Sequence, residues 1–101
     1  MVTLKVACSI IQSALPNNRI IRCIETKDYY FFIVPPRSWN GKGSAPAGGE
    51  AEYVFKDTGE HNSMHIGKAT DIILANGPDT HVVDITPYLS TEDADFLKHL
   101  G

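Results

Sequence analysis

Most of the features that usually announce a chemistry are missing from this 101-residue chain, and each gap removes a class of protein. Cysteine is scarce: Cys8 and Cys23 are too few for a disulfide scaffold, and no CxxC spacing points to zinc. Both sit in apolar contexts and read as small buried hydrophobes of a reducing compartment. No apolar run approaches the roughly 20 residues that cross a membrane. The N-terminal stretch MVTLKVACSIIQSALP carries a single lysine, but Gln12 and Ser13 interrupt it and its loss would delete a core element. It is therefore read as part of the fold rather than as a signal peptide, and the cytoplasm is the expected compartment. There is no GxSxG, no GxGxxG and no phosphate loop, since Gly41-Lys42-Gly43-Ser44 lacks the preceding spaced glycine. No cofactor is implied and no catalytic residue is assigned.

Positive charge is also absent over a long interval. Between Lys68 and Lys98 there is no basic residue, while Asp71, Asp79, Asp84, Glu92, Asp93 and Asp95 all fall there. Residues 1–56 hold seven Lys/Arg against four Asp/Glu, and residues 57–101 two against eight. The C-terminal half is thus unsuited to nucleic acid and suited to a cationic partner; a solvated acidic face that serves solubility is the competing reading.

What is present is one short, dense apolar run. Tyr29–Val34 is bounded by Lys27-Asp28 in front and by Pro35-Pro36 behind. Aromatic and β-branched residues closed by turn residues predict a strand with both faces covered, and two prolines forbid helical continuation. In a chain of this length, such a strand must be the middle of the sheet.

Around it the expectations are these. Residues 3–15 form an amphipathic helix, with Leu4, Cys8, Ile11 and Leu15 at helical spacing, Thr3 as cap and Pro16 as stop. Arg19–Thr26 is a strand with Ile20 and Ile24 on one face and Ile21 and Cys23 on the other. It pairs with the central run through the Lys27-Asp28 turn. Arg37–Gly49 is a long Gly/Pro-rich loop without regular structure; its Trp39 is either an interface anchor or a cover for the sheet edge. Glu50–Lys56 and Glu60–Ile66 form a hairpin about Asp57-Thr58-Gly59, with Met64 and Ile66 inward and His61 and His65 opposite. A short helix spans Thr70–Ala75, a strand Thr80–Thr86, and a terminal helix starts at a Ser90/Asp93 capping box and runs to Leu100. The fold class is α+β in a single domain: an antiparallel sheet of about five strands, the N-terminal helix on one face, and a short C-terminal helix.

His61-x3-His65 is the only arrangement resembling a metal motif. On a strand the two side chains stand ~13 Å apart, too far to share one ion through bonds near ~2 Å, so no metal is assigned. Neither cysteine has an electropositive setting, Arg22 beside Cys23 excepted.

The order of helix, hairpin, glycine-rich loop, strand, TG turn and strand resembles the small bacterial immunity-protein domains of polymorphic toxin systems. The residues that carry this are Tyr30-Phe31-Phe32, Tyr53-Val54-Phe55, Asp57-Thr58-Gly59 and Ile66-Gly67, within roughly residues 4–76. The long loop and the Thr80–Gly101 extension depart from that pattern. The resemblance implies inhibition by direct protein contact. It implies an acidic, non-catalytic inhibitor, of phage or bacterial origin, of a toxin, nuclease or defence effector with a basic surface, binding neither nucleic acid nor membrane. Trp39, Asp79, Asp84, Glu92 and Asp95 are the candidate partner-binding residues; Asp93, as a helix cap, is a less clean one. A homo-oligomeric assembly protein, including a homodimer, is the second reading, and a metal- or cysteine-dependent enzyme the third.

Overall fold

A computed structural model describes residues 1–46 and 49–100; Ala47 and Gly48, within the predicted loop, lie outside the described residues. The sheet is antiparallel throughout. It runs β4 (His61–His65), β3 (Glu50–Phe55), β2 (Tyr29–Ile33), β1 (Arg22–Glu25), β5 (His81–Val83), so the aromatic run is the middle strand of five. Alternation along β2 decides which layer each residue serves. Tyr30 and Phe32 pack with Ala7, Cys8 and Ile11 of helix α1 (Leu4–Ala14), together with Cys23, Val54 and Ile85. Phe31 faces the other way, against Ala51, Met64 and Ala69, with Ile72 and Ile73 of helix α2 (Ile66–Asn76) over it. Both faces of β2 are covered because a helix lies on each side of the sheet.

Local chemistry sets the boundaries. The Thr3 hydroxyl accepts from the Val6 amide at 3.3 Å to open α1, and the chain leaves the helix at Leu15-Pro16. In the β3–β4 hairpin Gly59 takes φ +78°, which a side chain would resist, and an added Cβ would stand 3.2 Å from Val2. The sheet edge at β4 is blunted by its own side chain: Asn62 Oδ1 accepts from the Ser63 amide at 2.8 Å. The other edge, β5, is only three residues long. Short or self-bonded edges resist pairing with further strands. Lys56, nearly buried on the α1 side, donates to Glu25 Oε2 at 2.7 Å and lies over the Tyr30 ring.

Several expectations need correction. Ile20 does not share a face with Ile24. The Ile21 amide bonds the Ile33 carbonyl at 3.0 Å while Arg22 pairs with Ile33 in register, so two residues oppose one. This bulge turns Ile20 onto the α1 side with Cys23, whereas Ile24 packs on the α2 side. The regular strand accordingly begins at Arg22 rather than Arg19. Ile66 is not inward: it is 44% exposed and is the first residue of α2. That helix starts four residues before the predicted Thr70, because the His65 imidazole caps it, Nδ1 accepting from the Gly67 amide at 3.0 Å. Histidine is an uncommon cap, and no Ser, Thr or Asp marks the start. The last strand is shortened to His81–Val83 because Ile85 already turns into the core before a 3₁₀ turn at Thr86–Tyr88. Finally, helix α3 covers Thr91–Lys98.

Candidate functional site

The C-terminal helix packs Leu97 on the α1-side core and is tied to the N-terminal half by a buried carboxylate. Ser90 Oγ accepts from the Asp93 amide at 3.2 Å, which is half of the expected capping box. The other half is not formed, because the Asp93 side chain is turned inward and nearly fully buried. Its Oδ1 accepts from Arg19 Nε at 3.0 Å and from Arg37 Nη1 at 2.7 Å, and its Oδ2 from Arg37 Nη2 at 3.1 Å. Arg37 completes its fork by donating from Nε to the Pro16 carbonyl at 3.1 Å. Burial alone would push the Asp93 carboxyl up; the hydrogen bonds and charges of Arg37 and Arg19 outweigh it and hold its pKa below the usual carboxylate value. Two of the N-terminal half's surplus cations are therefore spent on an internal contact, which the separation by charge along the chain did not reveal.

Around this hub the aromatic residues close up. The Arg19 guanidinium lies 3.9 Å from the centre of the Phe96 ring. Trp39 packs against the same ring, centres 6.0 Å apart, and its Nε1 donates to the Lys42 carbonyl at 3.0 Å. Trp39 thus covers neither sheet edge; it folds against α3 and remains half-exposed. Gly41 is pressed onto α3 as well, since a Cβ there would stand 2.9 Å from Leu100 Cδ2.

The candidate acids divide into two groups. Glu92 and Asp95 are on α3 with Trp39 packed alongside; Glu92 is 79% exposed and 3.7 Å from Arg19 Nη2, and Asp95 is 3.9 Å from Lys98. At these lengths neither contact is a close ion pair, and both carboxylates stay at the surface, Asp95 being 59% exposed. Asp79 and Asp84 are elsewhere, on the segments before and after β5. Asp84 turns its own chain: Oδ1 accepts from the Thr86 hydroxyl at 2.7 Å and from the Thr86 amide at 3.0 Å, and these bonds hold its pKa low. No hydrogen bond or ion pair joins Asp79 or Asp84 to the α3 group among the described residues.

Beneath the loop that carries Trp39, the end of the sheet opens into a cavity of about 640 Å³. Ile21, Ile33 and Val34 contribute apolar wall, Leu100 and Pro46 line it from the α3 and loop sides, and Glu50 stands among the polar residues.

His61, His65 and the two cysteines are engaged in structure. His61 Nε2 lies 2.8 Å from Glu52 Oε2, and His65 is the α2 cap. Among the described residues no group of three or more His, Cys, Asp or Glu is arranged to hold a metal ion. Burial pushes the Cys8 thiol up to about 11 and Cys23 further in the same direction. Thiols held in that form are poor nucleophiles at neutral pH. Among the described residues no helix is long and apolar enough to cross a membrane. Compared with protein-family models, curated proteins and solved structures, the chain matches none.

Proposed function

We propose that this protein is a small acidic inhibitor of the immunity type, which blocks a toxin, nuclease or defence effector by direct contact with its basic surface. The observation that carries this reading is the α3 face. A half-exposed tryptophan is seated on Phe96 of the same helix that carries the exposed carboxylates of Glu92 and Asp95, and that helix is tied down by the buried Asp93 hub. An aromatic anchor on a rigid support contributes affinity at low entropic cost, and surrounding acids raise the association rate with a cationic partner. Such a mechanism needs no catalytic group. Asp79 and Asp84, before and after β5, are secondary in this reading.

The test is kinetic. After affinity capture identifies a binding protein, association is followed at several ionic strengths for the chain and for its Glu92→Lys/Asp95→Lys double variant. The variant should associate roughly tenfold more slowly and with a flatter salt dependence, with its circular dichroism unchanged. Equal rates and equal salt slopes would reduce the acidic helix to a solubility feature.

The assembly reading has its own observation: Leu74 and Val82 are 72% and 69% exposed, apolar side chains on the α2 side of the sheet. Light scattering at micromolar concentration separates the two, a stable dimer favouring self-assembly and a monomer favouring a different partner.

A further inference from the structure

We infer that the cavity at the end of the sheet is a seat for an arginine side chain presented by the partner. The inference rests on the inhibitor reading above and adds to it the side chain that the partner must supply.

The walls match the two halves of an arginine. Ile21, Ile33, Val34 and Leu100, all partly exposed, offer apolar surface to an aliphatic stem, which long cationic side chains bury while keeping the charged head in a polar rim. The charged residues of the lining are two carboxylates, Glu50 and Glu52, against one guanidinium, Arg22, leaving a negative excess. Glu52 is already bonded to His61 at 2.8 Å. Glu50 is exposed and makes no hydrogen bond or ion pair from its side chain among the described residues, so its oxygens are open to a two-pronged contact. Planar guanidinium meets a carboxylate in that way, which a lysine ammonium does not. The volume, about 640 Å³, is within the range of sites that enclose a small ligand. Position supports the same occupant. Leu100, just beyond α3, and Pro46, in the loop that begins with Trp39, both line the opening, so a partner held on the α3 face has its own surface at the mouth.

The experiment uses the isolated protein, labelled with nitrogen-15, and N-acetyl-arginine methylamide as probe. Saturable amide shifts are expected at Ile33, Ala51 and Leu100. N-acetyl-norleucine methylamide, with a comparable stem and no charge, should bind at least about threefold more weakly, and Glu50→Gln should weaken the arginine probe by a similar factor. Asp71→Asn, on the exposed side of α2 and outside the cavity, should leave it unchanged. Equal binding of the two probes, loss of arginine binding in Asp71→Asn as large as in Glu50→Gln, or no saturable shift at these amides would overturn the assignment. Because the probe needs no partner, a failure here is distinct from a failure of the α3 association kinetics.

Discussion

Against α1 the sheet buries Cys23 and Val54 so completely that neither exposes any surface, and Cys8 and Ile11 on the helix are equally sealed. Against α2 the buried set is smaller, four hydrophobic residues against nine among the described residues. Phe31, Ala51, Met64 and Ala69 are buried, with Tyr29, Tyr53, Ile72 and Ile73 partly exposed around them, as Leu4, Ile10 and Val34 are around the α1 side. The α2 side is held instead by a chain of rings: Tyr29 stacks on Phe31 at 5.2 Å and meets Tyr53 edge-on at 5.4 Å. Close packing leaves no room to relax, whereas rings bordering solvent can shift into space left by a neighbour. One side of the sheet therefore specifies the fold tightly, and the other tolerates change.

The sharpest way to break this comparison is a pair of truncations on adjacent residues. Phe32→Ala, on the sealed side, should cost about 5 kcal/mol, and Phe31→Ala, where Tyr29 and Tyr53 can move in, about 3 kcal/mol. Urea denaturation of the two variants measures the difference; equal losses, or a larger loss at Phe31, would mean that the two sides are packed alike. Next in size is Asp93, which ties α3 to the sealed side. Asp93→Ala leaves the Arg19 charge buried without its partner and should cost about 3–5 kcal/mol.

Acid reports on the same contact. A carboxyl whose folded pKa is lowered contributes stability above the unfolded value of 3.8 and loses it as pH falls below that towards the folded value. Stability of the wild type should therefore drop below pH 3.8 more steeply than that of Asp93→Asn. Parallel acid limbs would show that Asp93 is not the responsible group. The smallest effect belongs to the open side: His65→Ala removes the α2 cap and should cost about 1 kcal/mol. Hydrogen exchange should quicken in the first turn of α2 in that variant and stay unchanged in α1.

How much of this could be seen beforehand depended on the range of the interaction. The central strand was legible because its signals are local: six apolar residues, a charged turn before them and two prolines after. The Thr3 and Ser90 caps and the Gly59 turn were readable for the same reason, each being decided within three or four residues. The bulge at Ile21 and Arg22 was not, because it exists only as a mismatch against Ile33 on another strand. At the candidate site Trp39, Glu92 and Asp95 were picked out by residue type, but the packing of Trp39 on Phe96 of their helix was hidden. Asp93 was seen as a cap and not as a hub, since nothing near it in the chain announces Arg19 or Arg37.

That hub also shapes the order of events when the protein folds. Asp93 closes onto Arg19 across 74 residues and onto Arg37 across 56. Contacts of such span carry a large loop-closure cost and reward the chain only after nearer pairings exist. The docking of α3 thus belongs to the late, downhill side of the folding barrier, where it acts as a latch. Removing it with Asp93→Asn should speed unfolding several-fold while leaving the folding rate nearly as it was. A chevron plot in which the folding arm moves as far as the unfolding arm would place the latch in the nucleus instead.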